Sequence, residues 1–212
     1  MNETAPRRRG EADLDRLRRA RPSRTARLIA GALTPANVVL ALMADVSLTH
    51  SSTWLAGAGW WLITLVLMVA APYAILFRAI RSGRVSDRQV VRRDQRPWLF
   101  AAAAGCVALA LAVLAFAGAP RALVALVVAM LAGLAVMGAI TLVWKASLHL
   151  AVASGAVAVL AIENHLAGAI AALALPVLGW ARWREGRHSV AQVIGGGVIG
   201  AVVAAAAFIL VR

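Results

Sequence analysis

The chain has 212 residues, 62% of them apolar, a mean hydropathy of +0.80 and a net charge of +13. An ordinary soluble domain holds roughly 45–50% apolar residues, so the composition argues against a water-soluble fold of this size. The excess falls in uncharged blocks of about 20 residues, the length an α-helix needs to cross roughly 30 Å of hydrocarbon, and an all-α polytopic transmembrane bundle of about six to seven spans is expected.

Residues 1–27 form a basic arm with nine arginines (Arg7, Arg8, Arg9, Arg16, Arg18, Arg19, Arg21, Arg24 and Arg27) against four acids. Such an arm is expected to stay in the cytoplasm, disordered or lying on anionic lipid headgroups. Pro6, Gly10 and Pro22 interrupt it and no aromatic side chains interleave its charges, so membrane lipids rather than nucleic acid are the expected partners. The arm is too long and too charged for a simple signal peptide. Ala41 and Ala44 stand three apart rather than two, so the small-x-small cleavage pattern is not met after the first apolar run.

Spans are expected near Leu28 to Leu48, Trp54 to Leu76, Trp98 to Ala117, Leu123 to Trp144, Leu148 to Ile162, Leu166 to Trp180 and Val190 to Val211. Trp54, Trp98, Trp144, Trp180 and Trp183 fall at their ends, at the headgroup level where an amphipathic ring belongs. A single helix from Leu148 to Trp180 would be about 50 Å long with a carboxylate near its middle. The polar triplet Glu163, Asn164 and His165 therefore predicts a hairpin.

The arginines return at every even crossing: Arg78 to Arg96 after two spans, Lys145 after four, and Arg182, Arg184 and Arg187 after six. The opposite loops carry only Arg121. This asymmetry predicts a cytoplasmic N-terminus and basic face, with the C-terminus outside. Cys106 stands alone in mid-span, and the four histidines are too scattered for a zinc site. Gly195, Gly196, Gly197 and Gly200 lie in an apolar run with no strand before them, which suits close helix packing rather than a phosphate or dinucleotide loop. No cofactor is expected. No clear internal repeat and no buried charge pair within the spans support a transporter.

The basic face carries a pattern. Arg88, Arg92 and Arg96 stand four apart and end in Arg96-Pro97; a second segment reads Lys145-Ala146-Ser147-Leu148-His149; a third reads Ala181-Arg182, five residues, His188, three residues, Gln192. These segments resemble the three motifs of the type 2 phosphatidic acid phosphatase superfamily, membrane lipid phosphatases related to vanadium haloperoxidases. In that family the first motif is Lys, six residues, Arg-Pro; the second is Pro-Ser-Gly-His; the third is Ser-Arg, five residues, His, three residues, Asp. Here Gln89 takes the first-motif lysine position, Ala146 and Leu148 flank Ser147, Ala181 precedes Arg182, and Gln192 replaces the aspartate.

The resemblance implies a family-like helical core and metal-independent hydrolysis of a lipid phosphate or prenyl diphosphate. It assigns His188 as nucleophile, forming a phospho-histidine, and His149 as the acid for the leaving oxygen. Arg96, Arg182 and Lys145 or Arg92 would clamp the phosphate, Ser147 would donate a hydrogen bond and Gln192 would orient His188. Fixed positive charge around an in-line nucleophile is what phosphoryl transfer requires. Gln192 offers a hydrogen bond without a carboxylate's charge, and Asp87 and Asp94 are the candidates to supply that charge. A catalytically inactive relative that binds anionic headgroups is the alternative.

Overall fold

A computed structural model describes residues 23–83 and 96–212, the side chains of Arg96 and Pro97 excepted. All regular elements among them are helices: α1 (Arg24–Ala32), α2 (Pro35–Thr49), α3 (Trp54–Thr64), a π-helical turn (Leu65–Ala70), α4 (Ala71–Arg81), α5 (Arg96–Phe116), α6 (Arg121–Val143), α7 (Leu148–Glu163), α8 (His165–Ala172), α9 (Ala174–Arg184) and α10 (Val190–Val211). Among the described residues, six helical stretches are long and apolar enough to cross a membrane: Arg24–Thr49, Trp54–Arg81, Trp98–Phe116, Arg121–Val143, His165–Arg184 and Val190–Val211. The seventh expected span is the 16-residue α7, about 24 Å long and so shorter than the hydrocarbon layer.

The apolar stripes point outward. Val190, Ile194, Val198 and Val202 recur four apart on α10 and are each more than half exposed, as are Leu166, Ile170 and Leu173 on α8 and its junction with α9. Water would penalise such stripes; lipid tails do not. The structure thus supports an integral membrane protein. Trp54, Trp98, Trp144, Trp180 and Trp183 are all exposed at helix ends.

The helices divide into two compact units, one of Met1–Val38 with Lys145–Val202 and one of Val39–Trp144 with Val203–Arg212. In the first unit, Ser23 caps α1 by accepting the Ala26 N–H, and Ala26 and Ala30 are buried where α1 packs on α9. The single helix expected from Leu28 to Leu48 is instead two, because Pro35 has no N–H to continue the ladder and Thr34 starts a new helix by accepting the Asn37 N–H. The Asn37 side chain then donates to the Gly31 and Ala32 carbonyls, satisfying the end of α1.

The hairpin expected at residues 163–165 turns on Asn164, whose backbone is extended and whose Oδ1 accepts the Ala167 N–H as the cap of α8. Gly168 lies directly against Ala161, which lets α7 and α8 pack closely beside the turn. Leu173 separates α8 from α9, where Pro176 withholds a helical N–H, and α9 packs back on α7.

In the second unit, Gly57 lets α3 pass close to the backbone of Ser47 and Leu48, and Trp61 Nε1 donates to the Leu40 carbonyl at 3.1 Å. The π-helical turn precedes Pro72, and the Ala71 N–H reaches five residues back to Val66. Arg121 Nε donates to the Val211 carbonyl at 2.9 Å, so this isolated basic residue caps the last turn of α10.

Candidate functional site

The first unit gathers the second and third sequence segments. Ser147 is the N-cap of α7, fully buried, and its N–H donates to the Gln192 carbonyl at 3.0 Å. Gly196 permits that bond: a Cβ there would lie 2.6 Å from the Ser147 carbonyl oxygen. One turn on, Gly200 lies against the backbone of Ala151, and Ser154 Oγ donates to the Gly197 carbonyl at 2.6 Å. Ser147 and Ala151 on one side therefore meet Gly196 and Gly200 on the other, each pair four residues apart, as small residues allow.

The turn after α9 builds the rest. Gly186 adopts φ +65°, with its N–H on the Trp183 carbonyl at 2.8 Å and the Arg187 N–H on the Arg182 carbonyl at 3.2 Å. These two bonds form a Schellman motif, which stops α9 and swings the chain toward His188. Ser189 then caps α10: its Oγ accepts the Gln192 N–H at 3.3 Å and Gln192 Oε1 accepts the Ser189 N–H at 3.2 Å. This is a capping box. Gln192 thus holds the helix start, and its side chain lies near enough to His188 to favour the protonated ring.

His188 is buried beside Arg182 and Lys145, and the Lys145 carbonyl hydrogen-bonds it. Burial, then the charges of Arg182 and Lys145, push its pKa down to about 4, opposed by the nearby Gln192 side chain and the Lys145 carbonyl. The ring is neutral at pH 7. His149, in the first turn of α7, lies within electrostatic reach of Arg182 and His188. The two histidines thus occupy one end of the hairpin.

Arg182 and Glu185 form an ion pair, Nη1 to Oε2 at 2.8 Å, with side chains 14% and 12% exposed. Sequence reasoning passed over Glu185, although its i, i+3 spacing from a matched arginine signals the pair. Among the described residues, Ser147 Oγ, Arg182 Nε and His188 Nδ1 are buried with no hydrogen-bond partner. Ser47 Oγ shares that condition in the other unit. An orphaned buried polar atom is costly, and three on one cluster suit a small polar ligand rich in acceptor oxygens and able to donate a hydrogen bond. Among the described residues, no three His, Cys, Asp or Glu side chains gather closely enough to hold a metal ion.

Arg92, with Arg88, Gln89, Asp87 and Asp94, lies outside the described residues; Arg96 opens α5 in the second unit and its side chain is likewise outside them. The structure therefore assembles Lys145, Ser147, His149, Arg182, His188 and Gln192, and adds Glu185. Compared with known proteins, the chain matches no family model, no curated protein and no solved structure.

Proposed function

We propose that the chain is a membrane-embedded phosphatase that hydrolyses a lipid phosphate or prenyl diphosphate through a phospho-histidine, without a metal ion. The observation carrying this reading is the trio of unpartnered buried atoms, Ser147 Oγ, Arg182 Nε and His188 Nδ1, beside a second imidazole. A protonated or esterified phosphate offers several acceptor oxygens in a small volume, and the cluster supplies positive charge from Arg182 and Lys145.

In the proposed reaction a ring nitrogen of neutral His188 attacks phosphorus while the bond to the leaving oxygen breaks. The incoming phosphate monoanion hands its proton to His149, which passes it to that oxygen. Water then attacks the phospho-histidine, His149 takes the proton back, and phosphate leaves. A ring that gives one N–H to the Lys145 carbonyl presents a lone pair at its other nitrogen, which supports the nucleophile assignment. The apolar stripes of α8 and α10 suit a substrate whose acyl or prenyl tail stays in the bilayer. The proposed site faces the cytoplasm, on the arginine asymmetry of the sequence.

The capping box at Gln192 favours a second reading. A residue committed to Ser189 is a structural remnant of the carboxylate position, and the chain then binds anionic headgroups without turnover. Phosphate release from phosphatidic acid, phosphatidylglycerol phosphate and prenyl diphosphates separates the two. Turnover is expected in the wild type and lost in His188→Ala and His149→Ala. Equal turnover in wild type and His188→Ala rejects the nucleophile; headgroup binding with no turnover on any substrate selects the second reading.

A further inference from the structure

We propose that Glu185 is a positioning residue of the anion site, holding Nη1 of Arg182 so that the Nε edge of the guanidinium is presented to phosphoryl oxygens. This rests on the phosphatase reading and adds a residue that none of the three motifs specifies. The guanidinium is planar and its donors are fixed relative to one another. Within that plane Nη1 is cis to Cδ while Nε–H lies beside Nη2, so a carboxylate on Nη1 occupies one edge and leaves Nε–H on another. Arg182 shows this division: Nη1 meets Glu185 Oε2 at 2.8 Å, while Nε is buried without a partner.

The pair is mostly shielded from solvent, so it is not a screened surface contact. Its backbone is also fixed. Glu185 is the C-cap of α9, and the Arg187 N–H closes the following turn on the Arg182 carbonyl, so donor and carboxylate ride on one rigid motif. The same turn leads directly into His188. A carboxylate beside a phosphate site repels the ligand, so its presence makes sense there if the orientation gained outweighs the charge lost. A free arginine side chain samples many rotamers, and an oriented one binds an oxyanion by two parallel bonds.

Inorganic phosphate is the probe, with its 31P line broadening measured on purified full-length wild type, Glu185→Gln and Glu185→Ala, beside thermal unfolding and phosphate release from lipid. The amide oxygen of Glu185→Gln still accepts from Nη1, so this variant is expected to bind phosphate at least as tightly as wild type. Glu185→Ala is expected to bind about tenfold more weakly, the scale of one hydrogen bond to a charged group. Tighter binding in both variants shows a repelling charge alone and overturns the proposal. Unchanged affinity in both, with lowered unfolding temperatures, assigns the pair to the fold and overturns it too. A wild type that binds phosphate yet releases none from lipid rejects the phosphatase reading while the two variants still decide the role of Glu185; a wild type that binds no phosphate rejects both.

Discussion

His188 shows how burial and charge prepare a single side chain. Its ordinary pKa of 6.5 falls to about 4, through burial first and Arg182 and Lys145 next. Between those two pH values the unfolded chain holds more protons than the folded one, so stability rises with pH across the window and is lost as pH falls from 6.5 toward 4. The acid limb of kcat/KM is therefore expected near pH 4. Lys145→Gln removes one positive neighbour and should move that limb upward; a wild-type limb at the ordinary imidazole value contradicts the geometry. Gln192→Glu is the companion test. Glutamate preserves the capping box and suits the positive end of α10, and it places a carboxylate against the imidazole. The limb should rise and turnover should increase by about tenfold or more, since a carboxylate stabilises the imidazolium character that develops in the transition state. A drop in turnover with an unchanged unfolding temperature would reject the orienting role of Gln192.

Among elements, α10 carries the sharpest contrast. A Cβ at Gly196 or Gly200 runs into the backbone of Ser147 or Ala151, whereas one at Gly197 meets nothing within 4 Å. Gly196→Ala and Gly200→Ala are expected to cost about 1–3 kcal/mol each by overpacking. Gly197→Ala is expected to be neutral or to stabilise by up to about 1 kcal/mol through helix propensity. Thermal unfolding in detergent reads the difference, and equal effects at positions 196 and 197 contradict the close approach. Helix packing by these glycines was legible in the sequence as a group property, while the division among them was not. Four-residue spacing put Gly196 with Gly200 and Ser147 with Ala151, but only the tertiary contact says which faces meet. The Ser189-x-x-Gln192 capping box and the Gly186 turn are readable signals, masked because Gln192 also falls at the carboxylate position of the third motif. The Arg182 to Glu185 pair depends on side-chain direction at a helix end, which spacing suggests and cannot fix.

For the whole molecule, hydrophobic length and tryptophan position made the all-helical membrane architecture legible, because lipid demands about 20 apolar residues per crossing. The breaks at Thr34 and Leu173 followed from prolines placed one and three residues later. Sidedness needs separate tests, since two features of the chain bear on it differently. The hairpin of α7 with α8 and α9 goes in and comes back, so it leaves the side of Arg212 unchanged whether or not its tip reaches the far surface. A reporter fused after Arg212 therefore tests the four crossings before the hairpin and the one after it. With the arm cytoplasmic, a periplasm-active reporter is expected to work there and a cytoplasm-only reporter to fail. The depth of the hairpin is tested at its tip. His165 is exposed beside the Asn164 turn, so His165→Cys in a Cys106→Ala background offers one thiol at that point. The 16 residues of α7 cover about 24 Å, which reaches the far headgroups only where the bilayer thins by several ångströms or the entering segment sits deep. Labelling of intact cells by a membrane-impermeant maleimide is expected, because Asn164 and His165 are polar and a tip left in hydrocarbon would strand them. Labelling that appears only after the membrane is permeabilised would place the tip at or near the cytoplasmic side, and α7 would then be a re-entrant helix.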